Sequence, residues 1–165
     1  MKLKEVTIHK YKSFESEQKF DLENEITILV GMNESGKTSA LEAIAKTHYF
    51  QDDESFKFNS THDYPRKDKV RMDKSGENPQ AITCVYEIDN LLLQSIETEM
   101  GKGLLKSTTF SVTTKYDNSK TIDISVDAKK FIEHKTKELG IASDTLNDKL
   151  LKVKNKTDLE TLQKE

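Results

Sequence analysis

Apolar and polar residues alternate with period two from the start of the chain, and Val6 and Ile8 share one face of a strand predicted over residues 3–11. Tyr11-Lys12-Ser13-Phe14 then reads as a turn. Phe20 and Leu22 alternate with Lys19, Asp21 and Glu23, which predicts a half-exposed second strand over residues 17–23. Asn24-Glu25 turns the chain into Ile26-Thr27-Ile28-Leu29-Val30, an apolar β-branched run expected to be a buried third strand. The period then lengthens: Leu41, Ile44, Ala45 and His48 recur at helical spacing and predict a helix ending near Phe50. Residues 51–80 hold both prolines, Pro65 and Pro79, and read as a long irregular segment. Period two returns with Ile82, Cys84, Tyr86 and Ile88. Asn90 is placed to cap a short helix carrying Leu92, Leu93, Ile96 and Met100, which Gly101 closes. Phe110, Val112, Thr114 and Tyr116 face Ile122, Ile124 and Val126 across the turn Asp117-Asn118-Ser119, a predicted hairpin. Asp127 caps a helix through Leu139, ended by Gly140. Beyond it, Leu146, Leu150 and Val153 make a coiled-coil-like seam, and Thr157-Asp158-Leu159-Glu160 is a capping box able to restart the helix.

Between the third strand and the first helix lies Gly31-Met32-Asn33-Glu34-Ser35-Gly36-Lys37-Thr38, a G-x-x-x-x-G-K-[ST] phosphate-binding loop in its strand–loop–helix setting. The spacing has a mechanism. Glycine lets the backbone wrap a polyphosphate closely, successive N–H groups form an anion nest, and the helix adds its N-terminal donors and dipole. Lys37 is expected to reach the β- and γ-phosphates of ATP, and the Thr38 hydroxyl to ligate Mg²⁺. Asn33 points an amide toward the γ-phosphate side or is an ordinary turn asparagine. Ser35 and Ser39 add hydroxyl donors or serve as helix caps. Glu34 lies inside the loop and belongs to the same site. His48 reads as a core-edge histidine, since no Cys or second His stands at metal-ligand spacing.

Composition narrows the picture. At 34% hydrophobic and 33% charged, the 165-residue chain suits a small core with charged arms, or one half of a larger domain. A net charge of -3 confines any nucleic-acid surface to a local patch. Arg66, Lys67, Lys69, Arg71 and Lys74 are the candidate patch, with a merely solvated stretch as the alternative. Asp52-Asp53-Glu54 reads as a solvated loop rather than a metal site. Cys84, the single cysteine, reads as a small buried hydrophobe, excludes an internal disulfide framework and fits a reducing cytoplasm. No apolar run is long enough for a membrane span, and Met1–Glu5 lacks the apolar core of a signal peptide.

A P-loop hydrolase also needs an apolar strand ending in an acid, to order Mg²⁺ and the attacking water. The nearest match, Ile82–Glu87, puts Tyr86 in the place of the metal acid and alternates like a half-exposed strand, so it is rejected. No Leu-Ser-Gly-Gly-like signature occurs either. The sequence carries half of an ATPase site.

In layout, residues 1–126 resemble lobe I of the ABC-type ATPase heads: the SMC, Rad50, RecN and RecF proteins and the OLD (overcoming lysogenization defect) family. The phosphate loop Gly31–Thr38 looks like the G-x-N-x-S-G-K-T form common there, and Tyr11-Lys12-Ser13-Phe14 looks like the family's N-F-[RK]-[SN]-F turn. Asp63-Tyr64-Pro65-Arg66-Lys67 is more similar to OLD-like ATPases than to SMC proteins. The resemblance implies an α/β fold, a P-loop NTPase of the ABC type: lobe I with an antiparallel β subdomain over residues 1–126, and a C-terminal helical, coiled-coil-like arm over 127–165. It implies MgATP held between two heads, a homodimer or higher oligomer, with a downstream half supplying Walker B and signature. It implies DNA and a Toprim or other nuclease as partners, in phage defence or DNA processing. Lys12 matches the turn's basic residue, which lies near the nucleotide or the dimer interface; read alone it is a surface lysine. The family's Q-loop glutamine finds no good match in Gln80 or Gln94. Two rival readings remain: a small P-loop kinase, for which neither lid arginines nor an acceptor pocket is evident, and a nucleotide-responsive interaction module without turnover.

Overall fold

The computed structural model describes residues 1–48, 54–138, 140, 148–150 and 152. The His48 side chain, Asp52 and Asp53, Leu139, the Leu146 and Val153 positions of the seam and the Thr157–Glu160 box lie outside the described residues. The chain divides into two compact units, Met1–Glu87 with Thr109–Asp123, and Ile88–Thr108 with Ile124–Glu165.

The first unit is built on an antiparallel sheet. The strands are β1 (Lys2–Ile8), β2 (Gln18–Asp21), β3 (Gln80–Glu87), β4 (Leu105–Lys115) and β5 (Lys120–Val126), in the order β2-β1-β3-β4-β5, and of the last two the first unit holds the part between Thr109 and Asp123. Val6 lies opposite Cys84 and Ile8 opposite Ile82, so the apolar positions that alternate in the sequence meet on one face. Helix α1 (Lys37–His48) covers that face with Ala40 and Ala43, both buried, and Ile44 half-buried. Burial of Val6, Ile8 and Ile82, each with no exposed surface, contributes about 1.5–3 kcal/mol apiece. An aromatic cluster closes one end: Tyr11 meets Phe58 edge-on at 5.8 Å, and Tyr116 meets Phe58 at 5.9 Å and Tyr64 at 5.3 Å. Cys84 is buried, as its alternation predicts, and burial pushes its thiol up to about 11.

Three expectations are corrected. Residues 26–30 join no strand ladder among the described residues, and Ile26, Ile28 and Val30 are 73%, 76% and 89% exposed. The run has strand composition, but no neighbouring strand in this unit takes up its hydrogen bonds; only Leu29 packs against the core. The buried stripe of α1 is Ala40, Ala43, Ile44 and Thr47, one residue round from the predicted stripe, and Leu41 is 60% exposed. Small side chains sit where helix and sheet approach, and the larger leucine is left outside. Lastly, the segment taken as irregular holds a 3₁₀ turn (Glu54–Phe56), α2 (Ser60–Asp63) and α3 (Arg66–Ser75). The Asn59 side chain caps α2 by accepting from the Thr61 N–H, Pro65 precedes the first turn of α3, and Gly76 ends α3 at φ 66°. The basic stretch lies on this helix, with Lys67 paired to Glu15 at 2.9 Å and Lys69 to Asp73.

In the second unit α4 (Asn90–Met100) begins one residue earlier than expected: Asp89, not Asn90, is the cap and accepts from the Leu92 N–H at 2.9 Å. Gly101 ends α4 at φ 103°, where a Cβ would lie 2.7 Å from that of His134 on α5 (Ala128–Glu138). Asp127 caps α5 by accepting from the Lys129 N–H, as predicted.

Candidate functional site: a phosphate-loop cleft

The phosphate loop begins at Gly31 and enters α1 at Lys37. A tight turn, Ser35 N–H to the Met32 carbonyl at 3.3 Å, folds the loop back on itself. Glu34 at φ 63° and Gly36 at φ 95° flank Ser35 in left-handed conformations, the alternation that turns successive N–H groups into one concavity. Ala40 N–H donates to the Gly36 carbonyl at 2.9 Å, the first bond of α1, so the N–H groups before it have no partner within the helix. The Lys37 ammonium spans the loop, donating to the carbonyls of Gly31 at 2.8 Å and Met32 at 2.7 Å, with the Ser35 hydroxyl at 3.4 Å.

The Tyr11–Phe14 turn forms the opposite wall. Tyr11 and Phe14 exchange backbone hydrogen bonds at 3.2 and 2.8 Å, and Lys12 sits between them at φ 48°. A Cβ on Gly36 would lie 2.8 Å from Phe14 Cζ and 3.1 Å from Ser13 Oγ, and a Cβ on Gly31 would lie 2.6 Å from Ser35 Oγ. Gly36 is thus required by close approach and by its dihedral, while a side chain at Gly31 would first have to turn the Ser35 hydroxyl aside. Between the walls lies a cleft of about 480 Å³ lined by Lys12, Ser13, Asn33, Glu34, Gly36, Lys37, Thr38 and Ser39. Of the residues singled out in the sequence, only Gly31 and Ser35 are not on its surface, and both touch Lys37. Ser13 was missed, although it belongs to the same four-residue turn as Lys12. Lys12 is paired with Glu42 of α1 and lies 5.4 Å from the centre of the Tyr11 ring.

The donor set suits a polyphosphate: backbone N–H groups, two ammonium groups and three hydroxyls, with Glu34 the one carboxylate on the lining. The glycine positions leave room for an anion where a Cβ would intrude. Thr38 places its hydroxyl on the cleft lining, a hard oxygen of the kind Mg²⁺ takes. Among the described residues no group of three His, Cys, Asp or Glu side chains is placed to hold a metal ion by itself.

A glycine loop that encircles a lysine and opens a helix laid on a sheet defines a P-loop NTPase lobe. The AAA ATPase domain family matches residues 1–164, and the chain belongs to that family. An ATPase domain implies nucleotide binding. The chain is 28% identical over 90 residues to a Retron Vc95 probable ATPase of Vibrio cholerae serotype O1 biovar El Tor. That match covers 54% of this chain and 17% of the relative, so this chain spans only a small part of the relative's length. A solved chain from a structural study of ATP-driven dimerization and DNA-stimulated activation of SMC ATPases aligns with 100% of this chain and 92% of its own, at 11% identity and a TM-score of 0.42. Among the described residues no helix is long and apolar enough to cross a membrane.

Proposed function

We propose that this chain binds MgATP in the cleft between the Tyr11–Phe14 turn and the head of α1, as the nucleotide-binding part of an OLD-like ATPase that gates a DNA-directed activity in phage defence or DNA processing. The observation that carries the reading is the loop itself: Lys37 centred on the Gly31 and Met32 carbonyls, with Gly36 pressed against Phe14. On binding, Lys37 exchanges carbonyl partners for phosphate oxygens, the loop N–H groups and the start of α1 receive the remaining charge, and Thr38 holds the cation. Mg²⁺, held with the help of the Thr38 hydroxyl, would supply neutralisation of the phosphate charge. Hydrolysis needs an acid on a neighbouring strand and donors from a second head. The exposed Ile26, Ile28 and Val30 support a lead-in strand whose neighbours come from a downstream half. DNA, and a Toprim or other nuclease, follow from the OLD-like segment Asp63–Lys67, and a retron relative named a probable ATPase is in keeping with ATP-dependent work.

The test is binding beside turnover. The purified chain is expected to bind a fluorescent ATP analogue with Mg²⁺ and to release phosphate no faster than background. Lys37→Ala should weaken binding at least ten-fold, because a charge-assisted phosphate contact contributes about 1.5–3 kcal/mol. Thr38→Ala should mainly lower the Mg²⁺ dependence. Adding the downstream half in trans should restore turnover with a steep concentration dependence. Equal affinity of wild type and Lys37→Ala would remove the site, and steady phosphate release abolished by Lys37→Ala would end the half-site reading.

A further inference from the structure

The two walls of the cleft are tied together behind it by one buried carboxylate. Asp63, only 3% exposed, ends α2. Its Oδ2 accepts from Lys46 Nζ on α1 at 2.6 Å and from the Asn59 N–H at 2.9 Å. Its main-chain carbonyl accepts from the Lys12 N–H at 2.6 Å and from the Tyr116 hydroxyl at 3.3 Å. Lys46 is held in turn: its ammonium also donates to the Lys57 carbonyl at 3.0 Å and lies 5.8 Å from the ring centres of both Tyr11 and Phe58. The Tyr11 hydroxyl is buried without a hydrogen-bond partner among the described residues. Burial first, and then the charge of Asp63, push that phenol above its ordinary range, so it stays a neutral member of the cluster. One residue thus grips the helix that begins at Lys37 and the turn that carries Lys12.

We propose that Asp63 is a positioning residue for the nucleotide cleft, fixing the Lys12–Ser13 wall against the head of α1 through its carbonyl to the turn and its carboxylate to Lys46. The inference rests on the nucleotide reading of the cleft. Two considerations favour position over net stability. A buried ion pair recovers little more than its own desolvation, so the main value of this pair is in where it holds the chain. Lys12 also has a positive φ, a backbone state that a non-glycine residue keeps only when its surroundings impose it; the 2.6 Å bond from its N–H to Asp63 is such a constraint.

The experiment is MgATP titration of the full chain as wild type, Asp63→Asn, Lys12→Ala and the double variant, with thermal melts alongside. Asp63→Asn is expected to weaken MgATP at least five-fold well below its melting temperature. In the Lys12→Ala background the same change should cost less than two-fold, because the group it positions is gone. A lowered melting temperature with unchanged affinity, or equal losses in both backgrounds, would overturn the inference. Lys46→Gln keeps the side-chain stem and removes the same ion pair. It should reproduce the loss, and it decides the matter if Asp63→Asn does not fold: wild-type affinity in Lys46→Gln overturns the inference. Asp63→Asn binding like wild type while Lys37→Ala binds poorly would sink this inference alone, whereas no binding to wild type would sink the cleft reading and this inference with it.

Discussion

At the scale of single residues, Gly36 joins the two halves of the cleft. Its φ of 95° suits glycine, and a methyl group there would meet the Phe14 ring at 2.8 Å. Gly36→Ala therefore combines backbone strain with a steric clash, about 1–3 kcal/mol for the strain. We expect a lower melting temperature and a loss of MgATP affinity. Adding Phe14→Ala should recover part of the stability, since it removes the clash and leaves the strained dihedral. A Gly36→Ala variant that melts and binds like wild type would show that the turn and the loop do not bear on one another. Lys12 shows what spacing cannot reveal. The sequence marks it as the basic residue of a turn, while its pairing with Glu42 follows from the approach of α1 to that turn.

Among the elements, those with local punctuation were the legible ones. The β4–β5 hairpin was expected from its alternation and its Asp-Asn-Ser turn, and the turn has its own chemistry. Hydrogen bonds from the Ser119 hydroxyl, the Asn78 side chain and the Ser119 N–H hold the Asp117 carboxyl at about 2, below its ordinary 3.8. A carboxyl depressed in the folded state stabilises the fold above its unfolded value. That contribution is lost as pH falls from about 4 through about 2. A carboxyl-carbon NMR titration should place the Asp117 midpoint near 2, and Ser119→Ala should raise it. A midpoint at the ordinary value would mean the turn does not hold the carboxylate. Helix α3 was not legible, because its sequence has no apolar stripe to reveal a period. It is a polar helix marked only by Pro65 before it and Gly76 after it.

For the whole molecule, the informative feature is apolar surface without cover. Ile26, Ile28, Val30, Met32 and Leu41 are all more than half exposed, and all lie in or beside the loop that binds phosphate in our reading. Substitution at an exposed site changes stability by about 0.5 kcal/mol or less. Ile28→Asp is thus expected to leave the melting temperature and MgATP affinity of this chain nearly unchanged. In the complementation assay with the downstream half, the same variant should abolish the restored turnover, because a charge would enter the strand interface. If Ile28→Asp complements as well as wild type, the lead-in strand does not pair with that half.

The sequence by itself determined whatever is decided within a few neighbouring residues: the glycines and lysine of the phosphate loop, the alternation of β1, β3 and β4, the caps at Asp127 and Gly101, and the turn at Tyr11–Phe14. Each of these follows from a local dihedral, a local hydrogen bond or a side-chain period, and all are written in consecutive positions. The tertiary structure decided which apolar positions find partners. Ile26–Val30 has the composition of a buried strand, yet burial needs neighbouring strands, and the described residues supply none. The buried face of α1 was set by the fit of Ala40 and Ala43 against the sheet rather than by its largest side chain. The ties from Asp63 reach 17 residues back along the chain to Lys46 and 51 residues back to Lys12. Such a pairing has no signature in either segment alone, because it exists only once the sheet, α1 and α2 have packed.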